Sequence, residues 1–150
     1  MMKWFSFLFL LAFACVRAQH NVPKDYFKPP LDIPMILSGT FGEFRSNHFH
    51  AGIDIKTQGV EGLEVKASAE GYISRIRITH YGYGKVIYIT HPNGYQTVYA
   101  HLKKFAPKIE KYIKAQQYKT EKYEVQLFPK RVACTYRTLF VLKFYRVQVT

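Results

Sequence analysis

Three hydrophobic patterns succeed one another along the chain. From Trp4 to Cys15 the residues are apolar almost without interruption. That run is too short to span a bilayer comfortably as a permanent helix, and it has no polar face to suit a buried one. Lys3 gives it a positive start, and Val16-Arg17-Ala18 puts small or β-branched residues where a signal peptidase reads. Residues 1–18 are therefore expected to be an export signal, cleaved after Ala18. Residues 19–35 hold Pro23, Pro29, Pro30 and Pro34, so an extended lead-in without regular structure is expected. From residue 36 the pattern changes to short runs of Val, Ile, Thr and Tyr. Glu64 to Ala67, Gly71 to Thr79, Lys85 to His91 and Tyr95 to Leu102 read as strands bounded by Gly, Pro or Asn. His91-Pro92-Asn93-Gly94 is the clearest turn, because Asn-Gly readily takes the positive φ of a tight hairpin; Tyr81-Gly82-Tyr83-Gly84 marks another. The period shifts toward 3.6 at Pro107 to Gln117, where Ile109, Tyr112, Ile113 and Gln116 share a face behind a helix-starting proline. The expected fold is mainly β and antiparallel with one short helix near 107–118. The domain should occupy residues 36–130, with a differently composed tail over 131–150.

Composition narrows the partners. A length of 150 residues suits one domain, and the net charge of +12 favours an anionic partner. Lys3 and Arg17 would leave with the signal, taking two of those charges. An exported protein does not meet nucleic acid, so the anions in reach are those of the envelope: polymer phosphates, lipid headgroups and peptidoglycan carboxylates. Lipid attachment at Cys15 is disfavoured, because Ala12-Phe13-Ala14 lacks the leucine that such a site wants three residues before its cysteine. Once Cys15 is removed, Cys134 is the single remaining thiol, which excludes an intramolecular disulfide.

Candidate chemistry centres on His50-Ala51-Gly52-Ile53-Asp54. Imidazole and carboxylate are both good zinc ligands, each needing to approach within about 2.0–2.2 Å. In a straight strand they would stand about 13 Å apart, too far to share an ion. Gly52 and two β-branched isoleucines argue against a helix. The segment must then turn, and Gly52 is where the backbone turns at least cost. Spacing alone is a weak signal, since an incidental surface pair has the same form.

The surroundings strengthen it. Phe41-Gly42-Glu43-Phe44-Arg45-Ser46-Asn47-His48-Phe49-His50-Ala51-Gly52-Ile53-Asp54-Ile55 resembles the first motif of the lysostaphin/LytM zinc peptidases. Ala69-Glu70-Gly71-Tyr72-Ile73 is similar to that family's Ala-x-x-Gly-x-Val strand. Tyr83 to Gly94 resembles its Gly-Tyr-Gly hairpin, and Thr97-Val98-Tyr99-Ala100-His101-Leu102 its Tyr-x-His-Leu segment. The resemblance implies a groove-bearing antiparallel β-sandwich and a zinc metalloendopeptidase that cuts peptide cross-links in peptidoglycan. Residue by residue it implies His50 and Asp54 as zinc ligands. It implies His101 as the histidine that stabilises the tetrahedral intermediate beside a zinc-polarised carbonyl. Strand alternation sets His101 with Tyr95, Thr97 and Tyr99 on one face, expected to line the groove. Tyr83, Tyr99, Arg45 and Asn47 are the candidate substrate contacts. His48 is expected at the rim, and His80 and His91, beside turns, in solvent.

One part of the family pattern is missing. The third motif, His-x-His, would complete the zinc site and supply a general base, and no histidine follows His101. Catalytic zinc usually needs three protein ligands and a water. Glu121 to Pro129 still reads as a family strand, whereas Arg131 to Thr150 lacks Gly, Asn, Asp and Ser and resembles nothing upstream. Codons for Arg131 to Cys134, read one nucleotide later, can encode Glu-Leu-Pro-Val, so a frameshift near Lys130 is the expectation. Weak metal binding and little or no hydrolysis should follow, along with an unpaired sheet edge where strands are lost. The alternative is a non-catalytic envelope module that binds wall or regulates other hydrolases; the survival of His50, Asp54 and His101 weighs against it.

Overall fold

The computed structural model describes residues 24–130 in full, and the backbone of 132–134, 138–142 and 148–149. The expected signal, 1–18, lies outside the described residues, as do residues 19–23 of the lead-in. Eleven strands and one helix make up the described chain: β1 (Leu37–Gly39), β2 (Ile53–Ile55), β3 (Glu64–Lys66), β4 (Gly71–Ile78), β5 (Lys85–Thr90), β6 (Gln96–Tyr99), β7 (Leu102–Phe105), α1 (Pro107–Thr120), β8 (Val125–Leu127), β9 (Val132–Cys134), β10 (Thr138–Leu142) and β11 (Gln148–Val149). Every strand pair is antiparallel. The larger sheet runs β1-β2-β11-β6-β5-β4-β8, with β9 also paired to β4, and the smaller runs β3-β10-β7. The mainly β, antiparallel, one-helix expectation therefore holds.

Patterning accounts for most of it. β5 is buried through Val86, Ile87, Tyr88 and Ile89 because it is central, with β4 on one side and β6 on the other. The β5–β6 hairpin closes over His91 to Tyr95 with Thr90 opposite Gln96, and Gly94 takes φ 84° at the tight turn. Pro107 starts α1, and Glu121, in the left-handed region, ends it through amide bonds to the Gln117 and Tyr118 carbonyls. α1 buries Ile109 and Ile113 but leaves Tyr112 exposed. The core gathers Ile55, Val65, Ile73, Ile76, Ile87, Ile89, Tyr99, Leu102, Phe105 and Ile113 between the two sheets and α1.

One expectation needs correction and two gain detail. The lead-in is irregular as expected, and it is packed: Leu31 is buried in the core, and Lys28 and Pro30 exchange backbone hydrogen bonds with Ser68 and Lys66. The run from Tyr95 to Leu102 is two strands, because His101 takes φ 56° and breaks the ladder between β6 and β7. The tail adds strands to both sheets. Its β9 pairs with β4, β10 joins β3 to β7, and β11 lies between β2 and β6.

Candidate functional site

The chain enters the site through a short hairpin. Phe44 and Phe49 bridge across it, and Arg45 and His50 form backbone hydrogen bonds with His48 and Glu43 respectively. Beyond it a bend at Gly52 leads into β2. That bend does what the residue types required. His50 Nε2 lies 3.4 Å from Asp54 Oδ1, with both side chains about 97% buried.

The two rings of contacts around this pair are asymmetric. His50 Nδ1 faces the Thr40 carbonyl at 2.9 Å, so Nδ1 carries the proton and Nε2 presents its lone pair. Nε2 has no hydrogen-bond partner. Asp54 Oδ2 accepts a hydrogen bond from Arg45 Nη2 at 2.6 Å, and Arg45 also reaches Glu43 Oε2 at 3.4 Å. The hydrogen bond to Asp54, ahead of the charges of Asp54 and Glu43, raises the Arg45 pKa further above its usual value. In that tautomer Nε2 and Oδ1 are two acceptors facing each other away from water. A cation between them would relieve the repulsion.

The spacing fits zinc. Two ligands each about 2.0–2.1 Å from one ion, at a tetrahedral angle, stand about 3.3–3.4 Å apart. A bidentate carboxylate would need both oxygens, and Arg45 holds one of them. Among the described residues, however, no group of three or more His, Cys, Asp and Glu side chains is placed to hold a metal.

The other expected residues fall at different depths. His101 sits at the end of β6, its amide bonded to the Tyr83 carbonyl at 3.0 Å and its ring edge-on to Tyr83 at 6.2 Å. Between β6 and the Asp54 strand lies β11, so the structure sets His101 across one intervening strand from the pair. Tyr83 is half-buried beside His101. Asn47 is exposed and contacts His48, which is exposed as expected at the rim. Tyr99 is not a groove wall: it is 0% exposed, its hydroxyl accepting the Ser68 amide at 2.7 Å. Its neighbour Thr97 is buried too, because this face of β6 turns into the core. His80 is exposed, stacked on Tyr123. His91 is buried instead of solvated, with Nδ1 on the Glu70 carbonyl at 2.7 Å, Nε2 on Thr97 Oγ1 at 2.9 Å and Phe27 against its ring. Two contributors went unread in the sequence. Glu43 could have been found, since strand alternation puts it on the face of Arg45; the Thr40 carbonyl leaves no side-chain signal.

Comparison with known proteins places the chain beside the same peptidases. Residues 48–118 match the model of peptidase family M23. The M23 match begins at the rim of the His50–Asp54 pair and runs through His101 to α1, so the resemblance to the lysostaphin/LytM peptidases holds. The chain is also 42% identical over 57 residues to the DD-carboxypeptidase/endopeptidase Mpg of Neisseria meningitidis serogroup B and to that of Neisseria gonorrhoeae. The aligned stretch covers 38% of this chain and 13% of each relative, so the chain matches only a small part of those proteins.

Proposed function

We propose that this chain carries the zinc site of a peptidoglycan-directed metalloendopeptidase, with His50 and Asp54 as metal ligands, acting outside the cytoplasm where the 1–18 signal would send it. The single observation behind this reading is the 3.4 Å gap between His50 Nε2 and Asp54 Oδ1, in a buried site where Nδ1 is already committed to Thr40. Zinc bound there would supply Lewis-acid polarisation of the scissile peptide carbonyl. The Thr40 carbonyl holds the imidazole in the tautomer that can ligate. Arg45 offsets the buried carboxylate, and His101, beside Tyr83, is the donor for charge developing on the substrate oxygen. The substrate is a peptide cross-link, a reading supported by the matched family and by the names of the Neisseria relatives. Two protein ligands, with no His-x-His motif after His101, favour weak zinc binding and hydrolysis far below that of an intact relative. The same lack of a three-ligand group favours, as a second reading, a wall-binding module without turnover.

A zinc titration against a chromophoric chelator tests the reading. Saturable one-to-one binding that Asp54→Asn and His50→Ala each abolish is expected. Identical titrations for the parent and both variants would sink it. Muropeptide release from purified peptidoglycan then separates a slow enzyme from a binding module.

A further inference from the structure

Asp54 does not meet its surroundings alone. Oδ1 faces His50 Nε2 at 3.4 Å, while Oδ2 accepts a hydrogen bond from Arg45 Nη2 at 2.6 Å. The same nitrogen reaches Glu43 Oε2 at 3.4 Å, and that carboxylate also accepts the Thr40 amide at 3.3 Å. Thr40 is the residue whose carbonyl orients His50. One short run of chain, residues 40–45, therefore braces both candidate ligands.

A second observation stands apart from those contacts. In the β1–β2 ladder Gly39 lies opposite Asp54. A Cβ built on Gly39 would come within 2.6 Å of Arg45 Nη2, 2.7 Å of Asp54 Oδ2 and 3.0 Å of Glu43 Oε2. Gly39 is not among the residues with positive φ. Its lack of a side chain serves space, not backbone conformation: it leaves the hollow in which the guanidinium closes on the carboxylate.

We propose that Arg45, carried by Glu43 and given room by Gly39, is the positioning residue that fixes Asp54 as a one-oxygen metal ligand. This rests on the zinc reading of the His50–Asp54 pair. With Oδ2 held by the short charge-assisted hydrogen bond from Arg45 Nη2, the carboxylate is restrained from offering both oxygens, and Oδ1 stays aimed at the point Nε2 also faces. The charges suit a divalent ion as well. Among the described residues, Asp54 and Glu43 bring two carboxylates to the one guanidinium of Arg45, a balance that suits a cation.

The test is the zinc dissociation constant of the purified chain by chelator competition, for the parent, Arg45→Gln, Arg45→Lys, Gly39→Ala and Asp54→Asn, with far-UV circular dichroism to check folding. Arg45→Gln should weaken zinc by roughly 10–100-fold, the usual effect of losing an outer partner of a ligand. Arg45→Lys should recover part of that loss, because the ammonium keeps the charge but its shorter, flexible stem does not place a donor where Nη2 sits. Gly39→Ala should weaken zinc in the same direction although every charged group is kept, which also covers the case of an Arg45 variant that fails to fold. If Asp54→Asn abolishes binding while Arg45→Gln and Gly39→Ala stay within about twofold of the parent, the positioning role is wrong and the zinc site stands. Tighter binding by Arg45→Gln would likewise overturn the proposal, since Arg45 would then compete with the metal. If the parent shows no saturable binding, the zinc reading fails and the proposal with it.

Discussion

Replacing Tyr99 by Phe isolates one hydroxyl at the centre of the molecule. The ring is fully buried, and the substitution keeps its volume, so no cavity term enters. The hydroxyl accepts the Ser68 amide at 2.7 Å and lies 3.0 Å from Thr97 Oγ1 and 3.1 Å from Ser68 Oγ. Stripping the buried Ser68 amide of this acceptor costs about 1–3 kcal/mol, and weakening the two hydroxyl contacts adds about 1 kcal/mol. A total near 3 kcal/mol is large beside the roughly 5–15 kcal/mol that holds a domain together. It should lower Tm by roughly 10 °C for a chain of this size. Urea and thermal unfolding, followed by circular dichroism, read the change directly. Combining Tyr99→Phe with Thr97→Val should show coupling of about 0.5–3 kcal/mol, because the two hydroxyls share one network. Zinc affinity should not move. A Tyr99→Phe protein within about 0.5 kcal/mol of the parent would refute the assignment of Tyr99 to the core network, and a loss of peptide binding without a loss of stability would return it to a groove.

One further outcome follows from the strand ladders. A Cβ on Gly71 would meet the Thr90 carbonyl oxygen at 2.5 Å and Ile89 Cγ2 at 2.9 Å, so Gly71→Ala should destabilise by about 1–3 kcal/mol, read from the urea midpoint.

Local signals in the sequence were reliable where local physics decides. Asn93-Gly94 closes a hairpin, Pro107 opens a helix, and Gly52 bends the chain so that an imidazole and a carboxylate four residues apart can meet. Failures cluster where distant segments decide. His91 sits beside a turn, yet Phe27 from the lead-in and Thr97 from β6 enclose it. Tyr99 alternates as a surface residue would, but Ser68, 31 residues away, claims its hydroxyl. The break at His101 was hidden because a left-handed φ at a histidine is uncommon enough to be passed over. Leu31 reads as part of an extended leader until Lys66 pairs with the backbone of Pro30 and draws that segment against the core. Arg45 reads in the sequence as a substrate contact, whereas its bond to Asp54 needs the hollow at Gly39, which no spacing rule announces.

The order of strands in the larger sheet bears on how the molecule is made. β2 and β6 emerge from the ribosome early, yet neither is the other's neighbour; the strand that joins them is β11, which emerges last. The sheet cannot close in the order of synthesis, because residues 148–149 slot between partners made long before. Until then two inner edges stay open, and the half-built site is a place where chaperones, proteases or other nascent chains can intervene.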